Sequence, residues 1–422
     1  MTDPNGRKHR TATRVVEAGR RRQWTSVPDL AGGVVNPPVW RASTHLYENC
    51  AALKEAAATS NEDGRFFYGR RGAPTQWALA DALTGLEEGA FGTMLYPSGV
   101  AAITGAYLAV CRPGERLLIA DNSYDPSRSI GTGLMASYGV KAEFFDPLDV
   151  EGFRRLCAQD GKIGAVLLEA PGSLTMEVCD VPALAATAKE AGAWVLIDNT
   201  WAGPTGFSAL AHGCDGVITA LTKHVGGHSD LMMGSVSGTE RLYHRLRRTA
   251  QQLGHVVSPD DAALALRGLR TLDLRLRQES ASALAVARWL RGRPEVAAVL
   301  CPMLEGAPGH DLWKRDFTGG CGLFTFVLKG RDAAARARLI DALRLFGIGY
   351  SWGGFESLAL PIDPGSCRSV RDWPPRGGWG GPDGGGLDGS DRFAVRLSIG
   401  LEDPADLIAD LDHGFAAMEN GG

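Results

Sequence analysis

The feature that most restricts the fold of this 422-residue chain is a regular alternation between residues 93 and 237. Short runs of continuous apolar character recur there: TMLY (93–96), RLLIA (116–120), KAEFF (141–145), AVLLE (165–169), WVLID (194–198), GVITA (216–220) and MMGSVS (232–237). Between most of them lie helix-length amphipathic segments such as VPALAATAKEAGA (181–193). A strand with one wet face alternates polar and apolar residues, whereas a strand covered on both faces reads as an unbroken apolar run. The pattern predicts an α/β domain around a mostly parallel sheet of about seven strands.

After residue 255 the pattern changes. Residues 258–294 read as helix, opened by Ser258, Pro259 and Asp260. A strand over GLFTFVLKG (322–330) and a helix over AAARARLIDALRLF (333–346) then indicate a smaller C-terminal α/β unit. Residues 371–391, RDWPPRGGWGGPDGGGLDGSD, hold eight glycines and three prolines and read as an insertion.

Composition narrows the function classes. With 44% hydrophobic and 22% charged residues and a net charge of −4, the chain has no excess of charge suited to nucleic acid or a membrane surface. The eight cysteines are scattered without a CxxC pair, which fits reduced thiols better than zinc or a disulfide framework. No apolar run approaches the ~20 residues of a membrane span. The arginine-rich start carries Asp3 and Glu17 and lacks a serine-rich flank, so the expected location is the cytoplasm.

Ligands of open α/β sheets bind beyond the carboxyl ends of the strands. There, TMLY leads into PSGVAA, whose Ser98 and Gly99 can open a helix and offer backbone N–H groups to an anion. RLLIA leads into DNSYDPS with Tyr124, WVLID ends on Asp198, and GVITA leads into Leu221, Thr222 and Lys223. Taken singly, such a lysine is usually a solvated charge and such an aspartate a turn or cap. GxGxxG and GKS motifs are absent. Taken together, an anion cradle, an aromatic ring, a carboxylate and an amine are what pyridoxal 5′-phosphate requires. His224 and His228 lack a third ligand in reach and have glycines between them, so no metal site is expected.

The motifs FYGRRGAPTQWALADALTGLEEG, DNSYDPSR, PGSLTMEVCDVPALAATAK, DNTWAGP, TKHVGGHSD and YSWGGFESL give the chain a likeness over nearly its whole length. It resembles the Cys/Met-metabolism enzymes of the fold-type-I, aspartate-aminotransferase-like pyridoxal phosphate superfamily. The resemblance implies Lys223 as the Schiff-base lysine, Asp198 as the partner of the pyridinium nitrogen and Tyr124 stacked on the ring. It also implies Gly99, Val100 and Thr222 at the phosphate, with Tyr68 and Arg70 reaching a neighbouring subunit's phosphate in a homo-oligomer, a tetramer by expectation. Arg396 would bind the substrate α-carboxylate, and Ser351 and Trp352 would line the same place. The implied division is an N-terminal arm (1–72), a cofactor-binding large domain (73–268) and a C-terminal small domain (269–422).

Within the family, PGSLTM (171–176), Trp352 and Ala220 favour the β-lyases, which split L-cystathionine to homocysteine, pyruvate and ammonia. The alternatives are β-cleavage of cysteine or its S-conjugates, and a γ-acting relative. His224 stands where the family usually has tyrosine, and the 371–391 insertion has no counterpart in the pattern.

Overall fold

The computed structural model describes residues 9–27, 31–60, 62–374 and 391–419. Seven strands build the large sheet: β1 (Gly92–Tyr96), β2 (Arg116–Ala120), β3 (Lys141–Phe145), β4 (Ile163–Glu169), β5 (Trp194–Asp198), β6 (Gly216–Ala220) and β7 (Gly234–Gly238). Their order is β1-β7-β6-β5-β4-β2-β3. β2 pairs in parallel with β3 and β4, and β4 with β5. β7 runs antiparallel to both β1 and β6. Every residue of β2, β4 and β5 is buried, which is the physical source of the unbroken apolar runs. β3 lies at the edge and carries the charges suited to it, with Glu143 taking Arg116 at 2.8 Å and Lys141 at 2.9 Å.

A second sheet holds β8 (Val296–Leu300), β9 (Leu323–Leu328), β10 (Leu358–Ile362) and β11 (Ala394–Ser398), antiparallel in the order β10-β11-β9-β8. Only β9 of these four is among the expected strands. The chain forms two compact units, one of residues 1–110, 208–211 and 215–273, the other of residues 111–207, 212–214 and 274–422. The first contains β1, β6 and β7; the second contains β2 to β5 and the smaller sheet. The division into 1–72, 73–268 and 269–422 concerns which segments serve the cofactor and stands as a proposal.

Two expected helices differ in extent. The segment from Ser258 forms two helices, Pro259–Leu269 and Leu272–Arg291, because the turn tightens at Gly268, whose carbonyl accepts both the N–H and the hydroxyl of Thr271. The helix expected over 333–346 ends as Ala333–Asp341. Beyond it, the Asp410 carboxylate takes the N–H groups of Arg344 (2.9 Å) and Leu345 (2.8 Å), diverting donors that a further turn needs. The 371–391 insertion falls largely outside the described residues. No helix among the described residues is long and apolar enough to cross a membrane, and the eight cysteines are free.

Candidate active site

In the first unit a backbone cradle forms around the end of β6. Ser98 caps the helix Gly99–Val110, its hydroxyl accepting from the Ala101 N–H at 3.0 Å and its carbonyl from Ala102 at 3.1 Å. A methyl group added at Gly99 would lie 2.9 Å from the Ala220 Cβ, and one at Gly234 would lie 2.4 Å from the Ser98 carbonyl oxygen. Glycine thus lets backbone approach backbone at residue 234, and the Ala220 methyl at residue 99. The first N–H groups of the helix, at Gly99 and Val100, have no acceptor within the helix and carry its positive dipole end. Val100 is exposed. This donor set fits a phosphate.

Lys223 is half-buried three residues after Ala220, to whose carbonyl its N–H donates at 3.1 Å. The loop after it is fixed from behind. Gly226 donates to the Leu221 carbonyl at 2.8 Å, and Gly268 sits so close that an added methyl would be 2.2 Å from the Val225 oxygen. His228 Nδ1 donates to the Gly226 carbonyl at 2.7 Å. The Thr222 hydroxyl donates to the Met233 carbonyl at 3.1 Å and accepts from the Met233 N–H at 3.0 Å, tying together the chain on either side of the β6–β7 connection. To serve a phosphate, its proton would have to swing away from Met233. Tyr68 is exposed, and Arg70 Nη1 donates to the Gln251 carbonyl at 3.0 Å.

The second unit gathers an acid, a phenol and a guanidinium. Asp198 closes β5, and its Oδ1 accepts from the Thr200 N–H at 3.0 Å and hydroxyl at 2.5 Å. The parallel register sets it beside Glu169, the last residue of β4. Glu169 Oε2 accepts the Tyr124 N–H at 2.7 Å, fixing the residue whose half-open ring starts the next helix. Burial raises the Tyr124 hydroxyl above its usual range, Asp198 and Glu169 add to this, and Arg396 opposes it. Arg396, on β11, donates through Nη2 to the Ser351 carbonyl at 2.9 Å. Burial brings its pKa down to about 10, still far above neutrality, so it is a cation in use. Trp352 is half-buried and Ser351 exposed. The donor set fits a protonated pyridine ring and an α-carboxylate.

A residue that the sequence reading passed over underlies this group. Asp121, fully buried just after β2, accepts from Arg128 Nη1 at 2.8 Å and from the N–H groups of Ser369 (3.0 Å), Val370 (3.0 Å) and Arg371 (3.1 Å). Arg128 also lies over the Phe144 ring at 3.9 Å. The adjacent Arg368 donates to the Ser173 carbonyl at 2.9 Å and to the Thr175 hydroxyl. Beyond, Trp373 Nε1 donates to the Arg392 carbonyl at 3.0 Å, and Asp391 accepts the Gly330 N–H at 2.6 Å. The only sequence signal was the Asp and Arg seven residues apart in DNSYDPSR.

A lysine after one strand end, a carboxylate at another and a helix-start cradle, on a mostly parallel α/β sheet, are the features of the class of pyridoxal phosphate enzymes. The chain belongs to the family of Cys/Met metabolism PLP-dependent enzymes, whose sequence profile matches residues 12–416. The cystathionine β-lyase MetC of Escherichia coli (strain K12) is 42% identical over 409 residues, 96% of this chain and 98% of that protein. A cystathionine β-lyase of Salmonella typhimurium is 39% identical over 409 residues, again 96% and 98% of the two chains. Among solved structures, cystathionine γ-synthase from Xanthomonas oryzae pv. oryzae superposes with a TM-score of 0.83 at 31% identity, covering 98% of this chain and 99% of that one.

Proposed function

We propose that the chain is a carbon–sulfur β-lyase that opens the Cβ–S bond of L-cystathionine, consuming water and giving homocysteine, pyruvate and ammonia. Pyridoxal phosphate, when bound, supplies an electron sink for the pair left at the substrate Cα. Gly99 and Val100 would hold its phosphate through the helix N-terminus, with Thr222 beside them, and Asp198 would face its ring nitrogen as the anion. Lys223 takes the Cα proton. Arg396 grips the substrate α-carboxylate, with Ser351 and Trp352 bounding the same place. Tyr124 keeps its hydroxyl proton at neutral pH because its pKa is raised, so it is placed to donate to a leaving thiolate rather than to accept from an incoming ammonium group. A thiolate is a good enough leaving group that modest assistance suffices.

The observation that carries this reading is the grouping of Tyr124, Asp198 and Arg396 in one unit, where the phenol feels both the carboxylate and the guanidinium. Assembly as a homo-oligomer, with Tyr68 and Arg70 serving a neighbour's phosphate, and residence in the cytoplasm belong to the same proposal. The likeness to a γ-synthase structure supports a second reading, cleavage or replacement at Cγ. Identifying the keto acid released from L-cystathionine separates the two. Pyruvate is expected; 2-oxobutyrate would move the reaction to Cγ. Lys223→Ala should lose both the yellow colour of the bound cofactor and all turnover, and an active variant would overturn the assignment.

A further inference from the structure

Glu169 and Asp198 are register partners at the carboxyl ends of adjacent parallel strands, and both are buried, at 9% and 8% exposure. Two ionised carboxylates in that position repel strongly, so the pair is stable when it shares a single negative charge. The hydrogen bonds indicate which member keeps the charge. Asp198 Oδ1 collects both the N–H and the hydroxyl of Thr200 at 3.0 and 2.5 Å, donors that favour an anion. Glu169 takes a single donor, the Tyr124 N–H, at 2.7 Å on Oε2. A neutral carboxyl group can still accept that bond through its carbonyl oxygen.

We propose that Glu169 is the proton-bearing member of this carboxyl pair, that Asp198 is thereby left as the anion, and that Glu169 is a positioning residue acting through Tyr124 and Asp198. The groups facing it agree. Burial raises its pKa well above the ordinary range, Asp198 on β5 raises it further, and Glu177 on the segment after β4 adds to that. The Tyr124 N–H and the Arg368 guanidinium pull the other way without reversing it. The position of Tyr124 and the charge on Asp198 are then both set by one side chain, which acts through these two neighbours. The inference rests on the reading of Asp198 as pyridinium partner only for its catalytic meaning; the location of the proton is independent of it.

The test is infrared spectroscopy at neutral pH, taken as wild-type-minus-variant differences in the cofactor-free and in the cofactor-loaded protein, so that other buried carboxyl groups cancel. The wild type should show a protonated-carboxyl stretch, present in both forms, that disappears in Glu169→Gln and persists in Asp198→Asn. Absence of the band, or its loss in Asp198→Asn with retention in Glu169→Gln, would overturn the proposal whatever reaction the enzyme performs. Kinetics give a second arm. Glu169→Ala should lower kcat by up to about 10²-fold, the scale for a displaced catalytic group, and shift the bound cofactor's absorbance. Glu169→Gln should recover most of both losses, since an amide oxygen still accepts the Tyr124 N–H; a Gln variant as damaged as the Ala variant would refute the neutral role.

Discussion

Arg396 donates to the carbonyl of Ser351 at 2.9 Å, and Ser351 presents that carbonyl from a left-handed backbone, with φ of +83°. Such a conformation costs a non-glycine residue on the order of 1–3 kcal/mol and persists where the surroundings impose it. The bond occupies Nη2 and orients the guanidinium, leaving its other N–H groups for a carboxylate.

Arg396→Lys should therefore raise KM more than it lowers kcat. Losing a charge-assisted fork costs about 1.5–3 kcal/mol, roughly a 10- to 150-fold increase in KM. Steady-state kinetics with cystathionine checks this; an unchanged KM would place the α-carboxylate elsewhere.

Asp198→Asn should leave the protein yellow but slow. The amide preserves the shape and can still accept from Thr200, yet it removes the charge that stabilises a protonated ring nitrogen. A drop in kcat of about 10²–10³ is expected from the loss of one preorganised electrostatic partner, with cofactor content measured by absorbance on the same sample.

Gly99→Ala puts a methyl group 2.9 Å from the Ala220 Cβ. Overpacking of this kind costs about 1–3 kcal/mol, readable as a lower urea midpoint in the cofactor-free protein, together with weaker cofactor binding. Because the clash is with one atom, the double variant with Ala220→Gly should regain most of the stability.

Glu87 is buried, and burial raises its pKa from 4.5 to about 7 against the opposing Leu210 and Ala209 N–H groups. The folded state thus holds a proton that the unfolded chain releases above pH 4.5. Its stabilising contribution is complete below that value and is lost as pH rises through about 7, with a limiting slope of about 1.4 kcal/mol per pH unit. Glu279, also raised to about 7 by burial, acts in the same direction. Glu87→Gln should flatten the decline in unfolding free energy between pH 5 and 7, as measured by urea unfolding at a series of pH values.

The large sheet was legible because its central strands are buried on both faces, so burial alone wrote RLLIA, AVLLE and WVLID as apolar runs. β10 and β11 were not, since LALPI carries a proline and AVRLS a charge, and both depend on pairing partners distant in sequence. At the strand ends, Lys223, Asp198 and Tyr124 stood out because their types are unusual beside apolar runs. Glu169 did not. A carboxylate after a strand is common, and what distinguishes this one is a neighbour 29 positions later, brought alongside by a parallel register. Asp121 escaped for a related reason: its partners at Ser369 to Arg371 lie about 250 positions away.

The Asp121 clamp has a consequence for sequence change. The chain is held at Ser369 to Arg371 before the glycine-rich stretch and at Asp391 after it, and Trp373 is joined to Arg392. Closing a chain between two fixed points depends only weakly on its length, about 0.6 kcal/mol for each doubling. Residues can thus be gained or lost between these anchors without disturbing either, which makes the stretch a natural place for relatives to diverge in length and for an engineered tag to be inserted.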